Sequence, residues 1–127
     1  MKIPRHAFRE YDIRGVADRD LSTALAHAIG RGFATTIREG AGSGSAPRIA
    51  VGRDGRLSSD RLFHAVTAGL RDGGANVIGI GVGPTPLLYF AAHHLATDGA
   101  VMITGSHNPA PDNGFKIRAR SRFTMSA

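Results

Sequence analysis

The 127-residue chain contains no cysteine and no tryptophan. The first absence excludes a disulfide framework, a thiolate metal site and a cysteine nucleophile, and it favours a reducing, cytoplasmic setting. Aromatics are sparse, at six phenylalanines and two tyrosines, so no stacking platform interleaves the basic residues as nucleic-acid binding requires. No nucleic-acid partner is expected. Long apolar runs are missing too: none approaches the roughly 18 residues of a membrane span. The N-terminus Met1-Lys2-Ile3-Pro4-Arg5-His6 lacks the apolar core of a signal peptide, so a soluble chain with no membrane partner is expected. Lysine is limited to Lys2 and Lys116, and no acidic cluster offers the roughly six oxygens that Mg²⁺ prefers.

What is present is basic. Sixteen Lys and Arg against ten Asp and Glu give a formal charge of +6, which suits an anionic partner, phosphate being the simplest. The length is that of one domain with its own core.

Apolar spacing predicts a helix over 21–38, with Leu21, Leu25, Ala28, Ile29, Phe33 and Ile37 on one stripe and Asp20 or Ser22 as cap. The glycine- and serine-rich 40–47 reads as a loop and Arg48–Gly52 as a buried strand. Ser58 or Ser59 is placed to cap a second helix carrying Leu62, Phe63, Val66 and Leu70, which Gly73-Gly74 ends. Ala75–Ile80 is a further strand. A third helix, with Thr85 as N-cap and Pro86 as its first residue, carries Leu87, Leu88, Phe90, Ala91 and Leu95. A strand ending at Thr104 and another over Gly114–Ile117 complete the run, and Phe8–Arg14 is a candidate antiparallel addition. Alternating strands and helices predict an α/β fold, a three-layer α/β/α arrangement around a mixed, mostly parallel sheet.

Three glycine-containing turns follow the strands: Gly52–Arg56, Gly81–Pro86 and Gly105–Pro109. If the strands are parallel, all three open at the edge where α/β sheets bind ligands. In the plain reading of the first turn, Arg53 and Asp54 pin the chain and Arg56 is solvated. Neither of the first two matches the Walker pattern. In the third, Ser106 is a turn cap, a hydrolase nucleophile or a phosphate acceptor. The hydrolase reading lacks the Gly-x-Ser-x-Gly elbow and an acidic partner for His107. Acceptance of phosphate requires mainly positioning and cations, which this chain supplies. His107 is then open between general acid/base and a hydrogen bond to phosphate. His64, His93 and His94 lie on helices without zinc-site spacing, and Asp18 and Asp20 suit a helix N-terminus better than a carboxylate pair.

The segments Phe8–Gly15, Val51–Arg56, Gly83–Pro86, Thr104–Pro109 and Asn113–Lys116 together resemble the first domain of the α-D-phosphohexomutases, and within them the phosphomannomutase/phosphoglucomutase branch. The phosphoglucosamine branch usually has alanine where Gly105 stands, which tilts the reading from that substrate; a phosphoglucosamine mutase fragment is the alternative within the family. The resemblance implies a four-domain enzyme in which Ser106 is carried as phosphoserine, binds Mg²⁺ through its phosphate and exchanges that phosphate with a hexose phosphate, through a hexose 1,6-bisphosphate that also acts as activator. It places Tyr11, Arg14, His107, Asn108 and Lys116 around Ser106, with Ser106, His107, Lys116 and Arg14 as the catalytic set.

The family's magnesium loop, sugar-recognition loop and distal phosphate loop belong to three later domains, which these residues do not include. Residues 1–127 are therefore expected to be a truncated domain I, inactive alone, with the main Mg²⁺ ligands supplied by the missing domains or another chain. Residues 118–127 depart from the family pattern. An exposed apolar docking surface and self-association are expected. The alternative from another class is a non-catalytic module that binds phosphate or sugar phosphate.

Overall fold

A computed structural model describes residues 10–41, 46–105, 109 and 111–119. The elements, in chain order, are β1 (Glu10–Val16), α1 (Ala17–Asp20), α2 (Thr23–Ala41), β2 (Arg48–Arg53), α3 (Ser59–Asp72), β3 (Asn76–Val82), α4 (Thr85–His94), β4 (Gly99–Ile103) and β5 (Asp112–Ala119). One sheet of order β1-β5-β4-β2-β3 contains all five strands. β2 pairs in parallel with both β3 and β4, whereas β5 is antiparallel to β4 and to β1. The sheet is mixed as expected, and the N-terminal strand is antiparallel to its partner.

The two-residue period of the strands divides the core between the sheet's faces. Ile49, Val51, Val101, Ile103, Phe115 and Ile117 face α2 and α3, joining Leu21, Ile29, Phe33, Leu62, Val66 and Leu70. Ala50, Ala100 and Met102 face the other way, toward Leu88 and Ala92 of α4. Every residue of β4 is buried, as a strand covered on both faces requires. The layers are thus α/β/α, with, among the described residues, a helix pair on one side and a single short helix on the other.

Helices α2 and α3 approach closely because each contributes a glycine at the crossing. A Cβ on Gly30 would strike the Val66 carbonyl, and one on Gly69 would strike the His27 carbonyl. Arg61 ties the start of α2 to α3 by donating to the Thr23 hydroxyl and the carbonyls of Ala17 and Leu21.

Several local expectations shift. Ser22 caps α2, its hydroxyl accepting from the Leu25 amide at 3.0 Å. Asp20 instead closes a short helix of its own, accepting from the Val16 amide at 2.9 Å. On α2 the buried position is Ala26, and Ala28 is exposed. Neither serine caps α3: Ser58 stands at the N-cap in helical conformation without a capping bond, and both hydroxyls are engaged elsewhere. Helix α4 starts one residue early, with Pro84 at the N-cap. Of its expected apolar stripe only Leu88 is buried, while Leu87, Phe90 and Leu95 are exposed. Strand β5 continues through Arg118 and Ala119.

Candidate functional site

The carboxyl ends of β2, β3 and β4 lie at one edge of the sheet, because the three strands are mutually parallel. Their turns are bonded sideways to one another. The Asp54 amide donates to the Ile103 carbonyl at 2.9 Å, and the Gly83 amide donates to the Arg53 carbonyl at 2.9 Å. Gly81 adopts φ +95° where the register between β2 and β3 shifts, a conformation that favours glycine.

Asp54 is the hub of this edge. Its Oδ1 accepts from the Ser59 hydroxyl at 2.6 Å and the Arg56 amide at 3.1 Å, and its Oδ2 accepts from the Gly105 amide at 3.0 Å. Burial pushes its carboxyl up, but the bonds from Ser59, Gly105, Arg56 and Thr104 outweigh that and leave it below the ordinary value. Arg56 is not solvated. Its Nε pairs with Asp54 at 3.2 Å, and its Nη1 donates to the carbonyls of Pro109 at 2.7 Å and Asp112 at 3.2 Å. Below them, fully buried Asn113 donates to both Ser58 and Ser59, at 2.8 and 2.9 Å. The Arg56 guanidinium lies against Gly105, where an added Cβ would collide with it. A side chain here would require the Arg56 guanidinium to shift.

Arg14 reaches the same edge from β1. Its Nη1 donates to the Gly105 carbonyl at 3.4 Å, while Nε and Nη2 hold Asp12 at 2.9 and 3.1 Å. Lys116 sits opposite Asp12 in the β1/β5 register. Asp12 and Arg14 alternate with core-facing Ile13, and Lys116 with core-facing Phe115 and Ile117, so all three belong to the face opposite α2 and α3. Arg14 and Lys116 are therefore diagonal neighbours on one face. Ser106, His107 and Asn108 lie outside the described residues, as does the side chain of Tyr11, whose backbone is in β1.

Arg53 pairs with Asp60 at 3.5 Å and lies over the Phe63 ring, at 4.4 Å from its centroid. The histidines of the helices are dispersed: His64 is exposed beside Asp60 at 3.6 Å, and His94 stacks on Phe90. Among the described residues no three His, Asp or Glu side chains converge as a metal-binding group. They do not by themselves form a magnesium site.

The family description "Phosphoglucomutase/phosphomannomutase, alpha/beta/alpha domain I" matches residues 5–125 of the chain. The chain belongs to this family. A phosphomannomutase/phosphoglucomutase of Pseudomonas putida is 47% identical over 116 residues, 91% of this chain and 24% of the relative. A phosphoglucosamine mutase of Thermobifida fusca is 44% identical over 114 residues, 90% of this chain and 25% of that relative. The crystal structure of a phosphoglucomutase/phosphomannomutase family protein from Burkholderia thailandensis superimposes with a TM-score of 0.77 at 39% identity, covering 94% of this chain and 27% of that one. This domain I spans about a quarter of the length of the relatives it matches.

Asp54, Ser59 and Asn113 have places in the site that the motif reading does not give them. One local signal existed: Asp followed two residues later by an amide it can accept from is the Asx-turn pattern, which Asp54-Gly55-Arg56 satisfies.

Proposed function

We propose that the chain is the phosphoserine-bearing domain of a cytoplasmic phosphomannomutase/phosphoglucomutase, with Ser106 as the phosphoryl carrier. The observation that carries this reading is the convergence of Asp54, Arg56 and Arg14 on Gly105, the residue directly before Ser106, at the edge where the parallel strands β2, β3 and β4 end. Membership in domain I of the family supports it.

In this reading a hydroxyl oxygen of a hexose phosphate attacks the phosphorus on Ser106. The serine oxygen–phosphorus bond breaks as the new bond forms, the hydroxyl proton passes to a base, a role His107 suits, and the departing serine oxygen takes up a proton to become the free hydroxyl. The bisphosphate turns over and its other phosphate returns to the serine oxygen. Arg14 and Lys116 supply positive charge for the phosphate, with Tyr11 and Asn108 as hydrogen-bonding neighbours. Mg²⁺ would neutralise charge on the phosphoserine. Its main ligands are assigned to later domains, and no step here is derived through it. Sugar choice is assigned to those domains too, since relatives named for different sugars match domain I almost equally, at 47% and 44%. The exposed apolar side of α4 is the surface we assign to docking or self-association.

The test is mass spectrometry after incubation with glucose 1,6-bisphosphate and the later domains of the Pseudomonas putida relative. Stoichiometric phosphate on Ser106, absent in Ser106→Ala, is expected. Reversible phosphate binding that Ser106→Ala leaves unchanged, with no covalent phosphate, would mark a binding module instead. The 127-residue chain alone is expected to show no mutase turnover.

A further inference from the structure

We propose that Asp54 and Arg56 are positioning residues that staple the chain on both sides of Ser106, an inference that rests on the reading of Ser106 as phosphoryl carrier. Asp54 holds the Gly105 amide at 3.0 Å on one side, and Arg56 holds the Pro109 carbonyl at 2.7 Å on the other. Only residues 106–108 lie between these two anchors. The anchors are also joined to each other, through Arg56 Nε and Asp54 Oδ2 at 3.2 Å. Behind them, Ser59 fixes Asp54, and buried Asn113 fixes Ser59. The staple is thus continuous from strand β5 through the start of α3 to the end of β4.

The charges explain why this arrangement positions rather than binds. Asp54 and Arg56 neutralise each other, so the pair adds little net attraction for a phosphate; that attraction falls to the cluster of Arg14, Lys116 and Asp12, which keeps one net positive charge. What the pair provides is restraint by charge-assisted hydrogen bonds at two points of a short segment. Phosphoryl transfer depends on in-line placement, and a misplacement of about 1 Å can cost on the order of 100-fold in rate. Arg56 suits the task because its rigid planar fork serves two carbonyls and a carboxylate from two separate nitrogens, whereas a lysine would have to reach all three from one ammonium.

The experiment pairs amide hydrogen exchange with phosphate uptake on Ser106 from glucose 1,6-bisphosphate, the chain again being supplied with the later domains of the relative. Asp54→Ala is expected to speed exchange at Gly105 roughly tenfold or more, while Val101 and Met102 in β4 stay protected. It is expected to slow phosphate uptake about 100-fold at an unchanged half-saturating bisphosphate concentration. Asp54→Asn, which keeps one acceptor oxygen, should recover part of both. Uptake at the wild-type rate in Asp54→Ala would overturn the proposal, and so would a loss of protection shared equally by β4. If wild-type Ser106 takes no phosphate but Gly105 exchange still responds locally to Asp54→Ala, the staple stands and the phosphoserine reading falls. Should Asp54→Ala not fold, the wild-type chain decides: the Gly105 amide proton resonance should shift on acidification with the midpoint of the Asp54 carboxyl carbon, and independent movement would overturn the proposal.

Discussion

Asp54 makes its contribution to stability only while ionised. Its folded carboxyl titrates below the ordinary aspartate range, burial being outweighed by bonds from Ser59, Gly105, Arg56 and Thr104. A depressed folded value means that folding favours the carboxylate. The stabilisation is therefore complete above the unfolded value, about pH 4, and is lost as pH falls through the folded one. Asp54→Asn should lower stability by about 1–3 kcal/mol at pH 7, with a smaller gap to wild type at pH 3. Urea midpoints at the two pH values check this, and an equal gap at both would contradict it. The variant comparison is needed because Asp20, lowered to about 2 by the Arg19 hydrogen bond and then the Val16 amide, also bends the wild-type acid profile. Ser106 was legible as a candidate from its immediate neighbours, Gly105 before it and Asn108-Pro109 after it. The role of Asp54 was not, because its decisive bond spans 51 residues of sequence and no local pattern encodes that distance. Arg56 was misjudged for the same reason, since its acceptor at Pro109 lies 53 residues away.

The elements were legible where one face of a helix or strand is apolar and the other is not. In α3 the spacing of Leu62, Val66 and Leu70 fixes the buried face, and all three are buried. In α4 it fails, since apolar residues run around the helix. The sheet beneath it offers Ala50 and Ala100, so the contact is made by Leu88 and the small Ala92, and the larger Leu87 and Phe90 turn outward. Periodicity carries no phase in such a helix. The contact between α2 and α3 was equally hidden, because glycine in a helix reads as a weak former until the neighbouring backbone is known. Gly69→Ala is the sharp test of that contact. Intrinsic propensity favours alanine by about 0.8–1 kcal/mol, but the new methyl meets the His27 carbonyl and forces the helices apart. A net loss of about 1–3 kcal/mol is expected in thermal or denaturant unfolding. A stabilised variant would show that the helices are not held at this separation.

At the scale of the whole molecule, the two faces of the sheet are covered unequally. Among the described residues, one carries the long pair α2 and α3 and the other only the ten-residue α4. Beyond α4 that second face carries Asp12, Arg14 and Lys116 toward the β1 edge, and polar side chains tolerate exposure there. Toward the other edge Val82, Leu87 and Phe90 are exposed at 62%, 46% and 69%, in elements adjacent in sequence. A helix apolar on both sides is ordinarily buried on both. A domain that spans about a quarter of its relatives leaves the rest of such a protein available to cover that face. In a solution of these 127 residues, the occupant proposed for that face is a second copy. Like-charged molecules at +6 repel, but the Debye length is about 8 Å at physiological salt, so contact between apolar faces is then limited mainly by concentration. Sedimentation of the wild-type chain is expected to show mass rising with concentration, more steeply as salt is added. Leu87→Gln with Phe90→Lys should hold the chain monomeric over the same range, while unfolding stability changes by no more than about 0.5 kcal/mol because neither side chain is in the core. A wild-type chain that remains monomeric at every concentration and salt would show that this face does not associate. A double variant that unfolds would show instead that Leu87 and Phe90 stabilise the domain itself.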